Sequence, residues 1–127
     1  MLELAFEGLA DGDGSAFVDL MADDFRWTIK GDTAWSRTYD GKAAVLDELL
    51  GPLMSQFAGR YRNTAERFVA EGDFVVVQCQ GNAETKAGQR YDNAYCWVCR
   101  FKDGKLRELV EYLDTALVDR VLEPPPA

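Results

Sequence analysis

Apolar positions recur at helical spacing in the first part of the chain and alternate in the second, and this change of period divides the sequence. Leu2, Ala5, Phe6 and Leu9 predict a short helix that stops at the breaker cluster Asp11-Gly12-Asp13-Gly14. Asp13 or Ser15 can cap a second helix, with Phe17, Leu20 and Met21 as its apolar face and Asp23-Asp24 closing it. Phe25, Trp27 and Ile29 then share one face of a strand. Residues 31–40 mix Gly, Asp, Thr and Ser with Trp35 and Tyr39, a loop carrying two aromatics that can line a mouth. From Lys42 to Phe57, the apolar residues Ala43, Leu46, Leu49, Leu50, Leu53 and Phe57 predict a third helix, which Pro52 kinks or splits.

Beyond Arg60 the period becomes two. Alternating segments run from Tyr61 to Ala70, Phe74 to Lys86, Arg90 to Lys102 and Lys105 to Leu113, joined by the turn dipeptides Gly72-Asp73, Ala87-Gly88 and Asp103-Gly104. This text predicts an antiparallel meander. Thr115 to Leu122 can form a last short helix, and the proline-rich end, residues 123–127, reads as a tail. Helices first and a meander after them is an α+β order: one domain over residues 1–122, a curved antiparallel sheet wrapped by helices into a cone with an internal pocket.

Which sheet face meets the pocket is open from the pattern alone. On one strand Val75, Val77 and Cys79 oppose Val76, Gln78 and Gln80. Either the odd positions meet the helices, or the glutamines project into a mixed pocket and the odd positions meet a second subunit. On the next strand, Asn93, Tyr95 and Trp97 are large and able to hydrogen-bond, which suggests a cavity with a polar element rather than a plain core. An aromatic ladder on an outer surface is the competing reading. On the last strand Glu111 lies between Leu109 and Leu113 on one face. If buried, its carboxyl titrates near neutrality and can give or take a proton; if exposed, Arg90, Arg100 or Arg107 would pair with it. Asp114 can cap the closing helix or join the ligand wall.

Composition narrows the partners. A formal charge of −8, from 22 acidic against 14 basic residues, disfavours nucleic acid and anionic membranes as partners and leaves a neutral or cationic small molecule as the easier one. No stretch approaches the roughly 18 apolar residues of a membrane span, and the first residues do not read as a secretion signal, so the expectation is a cytoplasmic protein. Cys79, Cys96 and Cys99 suit no common zinc spacing and read as buried free thiols. Neither a metal nor an organic cofactor is implied.

Four stretches carry a resemblance: residues 21–27 (MADDFRW), 39–45 (YDGKAAV), 88–95 (GQRYDNAY) and 104–115, which ends in Glu111-Tyr112-Leu113-Asp114-Thr115. In order and spacing the chain resembles the SnoaL-like, ketosteroid-isomerase-related branch of the nuclear-transport-factor-2-like superfamily. That resemblance implies the cone fold, with strands turned inward onto a small-molecule pocket. Where ketosteroid isomerases carry a base, a tyrosine and a hydrogen-bonding acid, this chain has Ile29, Ala5 and Trp97. Where limonene-epoxide hydrolases carry their water-holding set, it has Gln78, Gln80, Glu111, Trp27 and Ile29, of which Glu111 alone is an acid. The last-strand base of SnoaL-type cyclases falls at Glu111.

The combined reading places Glu111 as general base, with Asn93, Tyr95 or a glutamine donating a hydrogen bond to a developing oxyanion. Trp27, Ile29, Trp35, Tyr39 and Trp97 form a wall for an aromatic or polycyclic ligand, and Gln78, Gln80 and Asp114 contribute polar contacts. Such a protein would be an isomerase, cyclase or lyase without cofactor; the alternative is a non-catalytic binding or dimerisation module. A homodimer formed through the outer face of the sheet is expected in either case.

Overall fold

The computed structural model describes residues 1–126; Ala127, the last residue of the expected tail, lies outside them. Two helices form where the spacing places them, α1 (Leu2–Ala10) and α2 (Ser15–Leu20). Asp13 Oδ1 accepts from the Ser15 amide at 3.0 Å and from its hydroxyl at 2.7 Å, which fixes the turn into α2. The second helix is shorter than its period suggested. Met21 and Asp23-Asp24 belong instead to β1 (Met21–Ile29), because Met21 pairs with Leu106 at the start of a parallel ladder and is buried there.

After β2 (Thr38–Asp40), a helical stretch opens as α3 (Lys42–Ala44), widens into a π-helical segment over Val45–Leu50 and ends as α4 (Gly51–Met54). Pro52 explains the widening. It lacks an amide hydrogen, and the Gly51 N–H reaches back five residues to the Leu46 carbonyl, a local π-type adjustment next to the missing donor. Phe57, counted with the helix by its period, is the first residue of β3 (Phe57–Glu71), where its ring packs on Tyr61 and Tyr91 at 5.5 and 5.8 Å between centroids.

The meander continues through β4 (Phe74–Thr85), β5 (Ala94–Lys102) and β6 (Lys105–Leu113). At the β5–β6 hairpin Asp103 and Gly104 both have positive φ, 54° and 74°, as a primed two-residue turn requires. The strand expected from Arg90 begins only at Ala94, because the Asp92 carboxylate takes the Ala83 amide at 3.0 Å and interrupts the ladder. The sheet order is β2-β1-β6-β5-β4-β3, antiparallel except where β1 runs parallel to β6.

The sheet is curved, and its concave face carries Val77, Cys79, Trp97, Cys99, Leu106 and Leu109, all buried in one hydrophobic cluster with Phe6 and Phe17 of the leading helices. The odd positions of β4 therefore meet the helices. Asp114 caps α5 (Thr115–Val121), accepting from the Ala116 and Leu117 amides at 3.1 and 3.2 Å. After α5 the Glu123 main chain is fastened: its amide donates to Gln56 Oε1 at 2.9 Å, and its carbonyl accepts from Gln56 Nε2 at 3.0 Å and Trp35 Nε1 at 2.9 Å. Among the described residues no helix is long and apolar enough to cross a membrane.

Candidate functional site

Between the concave face and the helices lies a cavity of about 600 Å³, within the range of small-molecule sites. Strand alternation selects what reaches it. β1 contributes Trp27 and Ile29, β5 Tyr95 and Trp97, and β6 Glu111 and Leu113; Phe17, Leu49 and Val118 close it from the helical side.

Glu111 stands opposite Trp97 across β5–β6 and beside Ile29 across β1–β6. It is 5% exposed, and the Trp97 indole N–H donates to its Oε1 at 2.8 Å. Burial pushes its pKa up to about 7, and the indole hydrogen bond opposes that rise. The arginines named as partners for an exposed Glu111 are engaged elsewhere: Arg100 with Glu108 at 2.7 Å, Arg107 with Asp24 at 2.9 Å, Arg90 with Asp92 at 2.7 Å. The carboxyl thus sits in an apolar wall with a single hydrogen bond among the described residues. It can change charge near neutral pH.

The Tyr61 and Tyr95 hydroxyls share a hydrogen bond of 2.5 Å, and burial holds both pKa values well above the ordinary tyrosine range. Both side chains line the cavity. Gly81 makes room for the pair: a Cβ there would lie 2.8 Å from the Tyr61 hydroxyl and 3.0 Å from the Tyr95 ring. The Trp27 indole N–H and both polar atoms of the Asn63 carboxamide are buried without a hydrogen-bond partner among the described residues.

Several expected site residues stand elsewhere. Gln78 and Gln80 occupy the even positions of β4 and so lie on the convex face, because the helices cover the other side. Gln80 Nε2 instead donates to the Asp92 and Asn93 carbonyls at 2.9 and 3.2 Å, bracing the irregular approach to β5. Asn93 is fully buried but does not line the cavity; its amide donates to the Tyr91 hydroxyl and the Asp114 carbonyl, both at 3.1 Å, and its Oδ1 accepts from the Asp114 amide at 3.0 Å. With both ends of its carboxamide engaged, it staples the entry of β5 to the start of α5 and is no oxyanion donor. Asp114 spends its carboxylate on the α5 cap and is exposed. Tyr39 is buried behind the wall, donating to the Trp35 carbonyl at 3.0 Å, while Trp35 itself lines the cavity. Of the thiols, Cys79 and Cys99 are buried and Cys96 is partly exposed.

The sequence pattern of the SnoaL-like domain family matches residues 2–109, from α1 into β6. The chain belongs to that family. Solved structures agree on the fold. The chain resembles Bal32a from a soil-derived mobile gene cassette at 19% identity and a TM-score of 0.82, over 96% of this chain and 93% of that one. It is similar to an NTF2-like protein of unknown function from Burkholderia pseudomallei K96243, at 20% identity and a TM-score of 0.80, over 94% and 92% of the two chains. TerC, co-crystallized with polyporic acid, matches at 20% identity and a TM-score of 0.78, over 94% and 93%. A comparison with curated proteins finds no match.

Family membership and inward-facing strands leave Asn63 and Tyr61 as the wall residues that sequence reasoning passed over. Their signal was present, since Tyr61, Asn63 and Ala65 alternate. Two register shifts in β3, between Ala58 and Arg62 and between Ala65 and Arg67, hide which side that alternation faces.

Proposed function

We propose that the protein binds a small, largely apolar organic molecule in the cavity and that Glu111 moves a proton on it. One observation carries this reading: a buried carboxyl, titrating near neutrality, lies on the wall of a cavity of about 600 Å³ without a cationic partner among the described residues. A structural neighbour of the same fold, TerC, was co-crystallized with polyporic acid, which supports an organic occupant.

In its ionised form Glu111 takes a proton from a carbon next to a carbonyl of the ligand, and the electron pair moves onto the carbonyl oxygen as an enolate. The unpartnered Trp27 N–H and the hydroxyl pair of Tyr61 and Tyr95 are the wall donors suited to that oxygen, in place of Asn93. Return of the proton from Glu111 to a different carbon of the conjugated enolate completes an isomerisation; attack of the enolate carbon on a second carbonyl of the same ligand gives a ring, and the alkoxide so formed takes the proton back from Glu111. Neither route consumes an oxidant or a cofactor.

The reaction is tested with α-tetralone in heavy water, following by NMR the exchange of the protons next to its carbonyl. The wild type should accelerate exchange, with a rate that rises through about pH 7 as Glu111 ionises, and Glu111→Gln should reduce the acceleration by at least about a hundredfold. Equal exchange with both proteins would leave a binding protein without proton transfer.

We also propose a homodimer through the convex face. The odd positions of β4 are turned inward and cannot serve, but Val69, Val76, Val98 and Val110 lie in register across four neighbouring strands on the outer side. Light scattering at micromolar concentration should give twice the 14.2 kDa chain mass for the wild type, and Val98→Lys should shift it toward the monomer. A monomeric wild type would refute the dimer.

A further inference from the structure

Asn63 presents a different kind of chemistry from Glu111. It is fully buried, it lines the cavity, and neither its Nδ2 nor its Oδ1 has a hydrogen-bond partner among the described residues. The local sequence explains why. Directly across the ladder stands Gly81, which has no side chain to offer, and Gly81 is glycine because the Tyr61 hydroxyl occupies the space of a Cβ. The Cys79 thiol beside the amide is only a weak donor and acceptor: Asn63 partly offsets the burial that raises the thiol pKa, but no hydrogen bond of ordinary geometry joins the two. A carboxamide left bare in this way costs about 1–3 kcal/mol for each unmet group, and leucine, with the same branching and no polar atom, would avoid that cost.

A carboxamide donates from one end and accepts at the other, so its full complement is a group that accepts and donates side by side. We propose that Asn63 is a second polar anchor of the cavity, reading an adjacent donor and acceptor on the ligand such as a cis-lactam, a carboxylic acid or a vinylogous hydroxyketone. The inference rests on the reading above that the cavity holds a ligand. Asn63 on β3 and Glu111 on β6 are separated by β4 and β5 and by four positions along the strands, since Asn63 pairs with Gly81 while Glu111 aligns with Trp97 and Val77, so the two anchors lie ~20 Å apart measured along the curved sheet. A ligand that meets both is elongated, with an apolar body between two oxygen-bearing ends. Glu111 would act at one end while Asn63 selects the other.

Calorimetric titration of the full chain with three tricyclic probes of nearly equal size tests this. Phenanthridinone places an N–H beside a C=O, N-methylphenanthridinone keeps only the carbonyl, and phenanthrene has neither. The wild type should bind phenanthridinone about tenfold more tightly than the N-methyl compound. Asn63→Leu should erase that preference, keep the affinity for phenanthrene and melt no lower than the wild type. Equal binding of the two lactams by the wild type overturns the role of Asn63 while leaving the cavity reading intact. A preference that survives in Asn63→Leu, together with a melting temperature several degrees lower, marks a structural amide and also overturns it. If none of the probes binds, the ligand-binding reading falls and this inference falls with it.

Discussion

Glu111→Gln should make the protein more stable at alkaline pH, by about 3 kcal/mol near pH 9, and change its stability little near pH 4. In the folded chain the carboxyl ionises at about 7, whereas in the unfolded chain it ionises near its ordinary 4.5. Below the lower value both states hold the proton, and Glu111 contributes nothing to the pH dependence. Between the two values the unfolded state has released the proton and the folded state has not, so stability falls as pH rises. Above about 7 both are ionised and the folded state carries the whole cost of a buried carboxylate, at about 1.4 kcal/mol per pKa unit. Glutamine removes the ionisation and keeps an oxygen for the Trp97 indole at nearly the same place. Urea denaturation of both proteins at a series of pH values reads the difference directly. Parallel curves from acid to alkali would mean that Glu111 ionises as an exposed acid does.

The largest loss of stability should come from Trp97→Ala, about 3–5 kcal/mol. The indole packs against Phe6, Phe17, Trp27 and Tyr95 at centroid distances of 5.6, 5.5, 5.5 and 5.8 Å, so its removal opens a hole where α1, α2, β1 and β5 converge. It also deprives Glu111 of its hydrogen bond. Trp97→Phe separates the two effects. It keeps most of the packing and loses the N–H, so the Glu111 pKa should climb above its present value of about 7, while the fold survives. Carbon-detected NMR titration of the glutamate carboxyl measures the shift, and an unchanged or lowered midpoint in the phenylalanine variant would contradict the assigned role of the indole.

The meander was legible because each strand of it is bounded by a turn of recognisable chemistry and because long alternating text has few other solutions. Glu111 was legible for a related reason: an acid between two leucines on one strand face has to be either buried or paired, and the structure buries it. The orientation of β4 was not. Val75, Val77 and Cys79 on one side and Val76, Gln78 and Gln80 on the other satisfy a strand equally, and only the helices covering one side decide between them. Asn93 shows a finer loss, since its inward direction was readable but its bonding to Asp114, twenty-one positions later in the chain, depends on where α5 starts. β3 hid Tyr61 and Asn63 behind two bulges, one of them at Gly59 with φ of 76°. A bulge resets which parity faces inward, and periodicity has no means to register it.

The fastening of Glu123 has a consequence for how this end of the chain can vary. Gln56 and Trp35 bind its main-chain amide and carbonyl, and its side chain takes no part in those bonds. Position 123 is therefore read as a distance from the Asp114 cap rather than as a particular letter: any residue that keeps its amide hydrogen fits, and proline alone does not. Lengthening or shortening the intervening helix by one residue would misplace that amide, and with it the wall that Val118 and Leu122 lend to the cavity. Substitutions there are forgiving where insertions are not.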